Sequence, residues 1–105
     1  LDQAVVEKTE FFTLDEFVQF TIEAFEPDSE YRFNQEPQSA DWTLANATMH
    51  YINYFEAEIE ERGKKEEFDN LQVLAYYVVK NDDPEKHAAL LKPFVKRFKE
   101  IAEEL

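Results

Sequence analysis

One glycine in 105 residues limits what this chain can become more than any other feature. Glycine supplies the positive-φ turns that join strands, and a sandwich or barrel needs a turn signal every ~8–12 residues. With Gly63 alone and four prolines, the chain lacks the punctuation for that architecture. Helices need few tight turns, so the expected fold is all-α: one domain over residues 1–105, a bundle of four to five helices. Hydrophobic residues make up 44% of the chain, with ten Phe and five Tyr, so a core can form even though there is no Cys to cross-link it. The longest apolar run, Val73–Val79, is seven residues, far below the ~20 that cross a bilayer. No signal-like segment is visible, so the expectation is a cytoplasmic protein, although the start at Leu1 rather than Met leads us to expect that something upstream was trimmed or removed.

Charge is distributed unevenly. Of the net −13, all belongs to residues 1–61, where fifteen acids face Lys8 and Arg32. Residues 62–105 hold nine acids and nine bases and are neutral. Self-repulsion of this size opposes compaction, so the charge calls for an account. One account is solubility, which would leave a scaffold or oligomerisation bundle. The other is a basic protein partner. Nucleic acid and anionic membrane are both polyanions and are disfavoured as direct partners.

Local signals place the elements. Thr13-Leu14-Asp15-Glu16 fits a capping box, with Phe12 and Phe17 as its hydrophobic staple. The helix it opens should reach about Phe25, bury Leu14, Phe17, Val18, Thr21 and Phe25, and close before Pro27. Residues 2–11 read as a weaker helix, and residues 27–40 as an irregular loop pinned by Tyr31 and Phe33. A long central helix should start near Ser39–Asp41, bury Leu44, Thr48, Ile52, Phe55 and Ile59, and stop at Gly63. Glu56, Glu58, Glu60 and Glu61 crowd its end, where the dipole disfavours anions. Residues 66–80 read as a helix on Phe68, Leu71, Ala75 and Val78, with a buried strand as the rival because 73–79 is apolar all round. Asn81 suits a C-cap, and Asp83-Pro84 suits a helix start. Pro93 should kink or split the last segment, whose face is Phe94, Phe98, Ile101, Ala102 and Leu105.

The parts of known catalytic sites are missing. A phosphate-binding loop needs several glycines. A nucleophilic triad would have to use Ser29 or Ser39, both in the loop. No Glu-x-x-His pair occurs for a di-iron site. Asp83 and His87 at i, i+4 fit a surface contact better than a metal pair, and His50 lies off the core stripe. Twenty-four carboxylates make accidental acid pairs unavoidable, so they identify no acid–base site. We therefore expect no enzyme, no cofactor and no metal, with a small enzyme or metal carrier as the least favoured class.

Acids interleaved with aromatics remain. Glu16, Phe20 and Glu23 share a stripe on the first helix, as do Tyr54, Glu58 and Glu61 on the long one. Carboxylates at this spacing lie ~5–6 Å apart. Duplex DNA carries about 18 charges over ~30 Å, so a net −13 on such a face approaches the charge density of a nucleic-acid backbone. Embedded aromatics would supply the anchoring that rim charges lack. Thr13-x-x-Glu16-Phe17-Val18-Gln19 and Tyr76-Tyr77 followed by Asp82-Asp83-Pro84 resemble the first-helix start and the Tyr-Tyr and Asp-rich link of the immunity proteins that neutralise nuclease colicins, which are small acidic four-helix inhibitors. Val78 departs from that family's Pro, and the 27–40 loop is longer. The resemblance implies a bacterial or phage inhibitor in which Tyr76, Tyr77 and the acids of the long helix contact a basic toxin beside its active site. The expected function is docking on a basic nuclease, toxin or nucleic-acid-binding protein, by a monomer or homodimer. The expected partner-binding residues are Glu16, Phe20, Glu23, Tyr54, Glu56, Glu58, Glu60, Glu61, Tyr76 and Tyr77.

Overall fold

The computed structural model describes residues 13–105. The expected helix over 2–11 and the Phe12 half of the staple lie outside them. Among the described residues there are five α-helices and no strand, so the all-α expectation holds. In chain order these are α1 (Leu14–Ala24), α2 (Pro37–Tyr54), α3 (Glu56–Glu61), α4 (Lys65–Lys80) and α5 (His87–Glu104). One 3-10 turn, Glu30–Arg32, lies in the 27–40 loop, and a second, Pro84–Lys86, leads into α5. None of these helices is long and apolar enough to cross a membrane.

Each boundary has a local cause. Thr13 Oγ1 accepts from the Glu16 backbone N–H at 3.1 Å while Glu16 Oε1 accepts from the Thr13 N–H at 3.0 Å, completing the capping box. Gly63 sits at φ +69°, and its N–H donates to the Glu60 carbonyl while Lys64 N–H reaches back to Ile59, a Schellman ending. Asn81 caps α4, and the Asp83 carboxylate accepts from the Glu85 N–H at 3.0 Å. Segment 66–80 is helix, not strand. Phe68, Leu71, Ala75 and Val78 are buried at helical spacing, Leu74 and Val79 pack partly buried against the core, and Val73, Tyr76 and Tyr77 turn outward.

Three expectations need correction. The long central helix begins earlier, at Pro37, and is interrupted at Phe55 (φ −97°, ψ 18°). Phe55 stacks on Phe17 and Tyr51 and meets Tyr54 edge-on, and its ring stays buried while its N–H still donates to the Tyr51 carbonyl at 2.9 Å. Glu56 consequently falls in the first turn of α3, whereas Glu60 and Glu61 stay at its C-terminal end, where the dipole disfavours anions. Phe33 does not pin the loop, being 60% exposed, whereas Tyr31 does, edge-on to Phe20 at 5.9 Å. Pro93 does not split the last segment, since α5 runs through it; Pro93 and Ala89 are both exposed, so the carbonyl left without its donor is on the water side.

The core gathers Leu14, Phe17 and Val18 of α1, Tyr51 and Ile52 of α2, and Phe68, Leu71 and Ala75 of α4 onto Phe94, Phe98 and Ile101 of α5. Helix α4 lies between α2 and α5. The Trp42 indole N–H donates to the Val79 carbonyl at 3.0 Å, satisfying one of the last carbonyls of α4. At the other end the Gln72 amide reaches Asn53 Oδ1 at 3.3 Å, so α2 and α4 run antiparallel.

Candidate functional site

The ten expected partner-binding residues do not form one surface. On α1, Glu16 serves the cap, Glu23 accepts from the Gln19 amide at 3.2 Å, and Phe20 is half-buried against Tyr31. Glu58 turns to Arg62 at 3.2 Å. Arg62 also forks onto Asp15, donating at 2.9 and 2.8 Å, and so ties α1 to the end of α3. The Arg62 pairs brace the bundle, whereas the bonds of Glu16 and Glu23 stay local to α1.

Glu56 and Glu60 face the other way. With Asp69, Lys65 and Gln72 they line a narrow groove of about 30 Å³ between α3 and α4, which Ile59 and Phe68 also line. The hydrogen bond to Asp69 at 3.1 Å, and next the Asp69 charge, hold the Lys65 ammonium more firmly protonated, with the smallest contributions from Glu60 and Glu56. From Asp69 the outer face of α4 continues through Val73 to Tyr76 and Tyr77, at i+4 and then i+3 and i+4 steps. All three are exposed, Val73 at 50%, Tyr76 at 44% and Tyr77 at 54%. The two rings sit 6.3 Å apart, and Lys80 Nζ lies 5.5 Å from the Tyr76 centroid. Tyr54 is exposed at the end of α2, its ring edge-on to Phe55 at 4.9 Å, and Glu61 is exposed at the end of α3.

Asp69 and Val73 were missed in the sequence. The signal for them existed: fixing Phe68, Leu71, Ala75 and Val78 as the buried stripe leaves 69, 73, 76 and 77 facing outward.

A second polar cluster was also missed. Asp41 of α2 is buried, and its two oxygens accept from Arg32 Nη2 at 2.6 Å and His87 Nε2 at 2.8 Å. Arg32 further donates to the Ala24 and Pro37 carbonyls, both at 3.2 Å. His87 thus meets Asp41, not Asp83. The cluster joins the loop, α2 and the start of α5. Among the described residues no group of three or more His, Cys, Asp or Glu is placed to hold a metal.

The Arg62 guanidinium holds the Asp15 carboxyl below its ordinary value of 3.8, chiefly by hydrogen bonding, against a smaller opposing effect of burial. A depressed folded value adds stability above the unfolded value, and that stability is lost as pH falls through the folded one. Asp15 is well exposed, so the contribution is small. Asp15→Asn is expected to lower the melting temperature by about 2–4 °C at neutral pH. Melting curves taken down to acid pH should show that gap closing below the ordinary value of 3.8. A gap that persists in acid would assign the loss to something other than the ion pair.

Fold and flank together define a helical bundle that presents an exposed aromatic patch continuous with an acid-lined groove. No protein-family model, no curated protein and no solved structure matches the chain.

Proposed function

We propose that this protein is a non-enzymatic binder that docks on a basic protein through the α3–α4 flank and inhibits it. The observation carrying this reading is the continuity of Val73, Tyr76 and Tyr77 with the groove of Glu56, Glu60 and Asp69. Solvent-facing aromatics beside carboxylates supply the two components of a tight interface: anchors that bury apolar area, and a charged rim that speeds and orients encounter. The acidic N-terminal part adds long-range attraction for a cationic partner. The partner class follows from charge: a protein whose basic surface serves nucleic acid, such as a nuclease or toxin. Charge imitation of nucleic acid is local in this reading, because Asp15, Glu26, Asp41 and Glu58 are engaged in ion pairs within the fold and Asp69 is paired with Lys65 at 3.1 Å. That leaves Glu56 and Glu60 as the carboxylates of the flank without a direct ion pair among the described residues.

The test is capture from a lysate of the source cells at low and high salt. Glu56→Lys, Glu60→Lys and Asp69→Lys together should abolish capture, as should Tyr76→Ala with Tyr77→Ala. Glu58 stays unchanged, since it holds Arg62. Wild-type capture should weaken steeply with salt. Reversal of Glu85 and Glu103, exposed acids in the neutral part of the sequence, should leave it intact. Equal loss in both charge variants would mean that net charge alone matters. Recovery of only a second copy of this chain would favour the scaffold reading.

A further inference from the structure

The cleft between α5 and the loop after α1 has a different chemistry from the acidic flank. Its volume is about 800 Å³, within the ~300–1,000 Å³ usual for small-molecule sites. Phe25, Ala88, Leu91 and Val95 give it an apolar lining. Lys92 and Lys96, one turn apart on α5, stand at the same cleft, and both are exposed. Neither takes part in an ion pair among the described residues. The other two cations of the cleft are engaged, Lys99 with Glu26 at 3.8 Å and Arg32 with Asp41.

We infer that this cleft binds a fatty-acid-type anion, its hydrocarbon tail along Phe25, Leu91 and Val95 and its carboxylate between Lys92 and Lys96. Charge complementarity selects the head. Two ammoniums without a counter-ion among the described residues flank an apolar recess on a molecule of net −13, and charge-assisted hydrogen bonds from both would hold one carboxylate. The apolar walls select the tail, since burying hydrocarbon is favourable in proportion to area. The overall negative charge repels any anion at long range, but screening confines that field to about 8 Å at physiological salt. At contact the two lysines dominate.

Titration of the full chain with dodecanoate, kept below the concentration at which it forms micelles and followed by amide chemical shifts in NMR, tests this. Saturable shifts are expected at Ala88, Leu91, Lys92 and Val95. Dodecanol, with the same tail and no charge, should bind about tenfold more weakly, and Lys92→Glu with Lys96→Glu should weaken dodecanoate binding by about tenfold or more. Both substitutions are on the surface, and unchanged circular dichroism and dodecanol binding would show the double variant folded. Equal affinity for dodecanol and dodecanoate, shifts centred elsewhere, or no saturation would overturn the proposal. Shifts at the cleft that follow protein concentration without ligand would also overturn it, by placing a second copy of the chain there.

Discussion

Asp41→Ala should destabilise the fold by about 3 kcal/mol, lowering the melting temperature by about 15 °C in a domain of this size. The loss comes from what remains behind. Asp41 is 5% exposed, and without its carboxylate the Arg32 guanidinium and the His87 ring stay largely buried with no anion between them. The Ala24 and Pro37 carbonyls still accept from Arg32, which keeps the effect at the low end of the range for a broken buried pair. Asp41→Asn should lose less, because its amide oxygen still accepts from Arg32. Replacing all three residues by apolar ones of similar volume should recover most of the loss, since no charge is then stranded. Urea denaturation of the three variants checks the order. A loss below about 1 kcal/mol for Asp41→Ala would show that water reaches the cluster and that the loop does not depend on it.

Phe17→Ala should cost about 4 kcal/mol. Its ring joins three elements, with centroids 5.1 Å from Tyr51, 6.3 Å from Phe55 and 5.8 Å from Phe98. Truncation leaves a cavity beneath α1 at the point where the central helix is interrupted, and the large rings around it have little freedom to collapse inward. Phe33→Ala, at an exposed ring in the loop, should change stability by less than about 0.5 kcal/mol. Denaturant midpoints at unchanged slope separate the two. Similar values for both would place the core elsewhere than around Phe17.

What the sequence made legible was local. The Thr13–Glu16 box, the Gly63 ending, the Asn81 cap and the buried stripes of α1, α2 and α4 each depend on residues within a few positions of one another. Long-range pairings were not legible. Asp41 lies 46 residues from His87, and nothing in either neighbourhood marks the other as its partner. The break at Phe55 was hidden too, because no glycine or proline marks it and its ring packs on the distant Phe17 of α1. The candidate flank was half legible. Tyr76, Tyr77, Glu56 and Glu60 stood out by type, but grouping them required α3 to turn against α4, which also sent Glu58 away to Arg62. The α1 stripe looked equivalent by spacing, yet Phe20 is covered by Tyr31.

Site-specific photo-crosslinking tests the central claim most directly. A photoreactive phenylalanine analogue at position 77, in the middle of the exposed stripe, is compared with the same analogue at position 103, on α5. The account predicts that position 77 crosslinks to one basic protein in source cells and position 103 does not. The crosslink should disappear when Glu56, Glu60 and Asp69 are changed to Lys. Crosslinks of equal yield from both positions, a crosslink from 77 that survives the charge reversal, or one joining only two copies of this chain would contradict it.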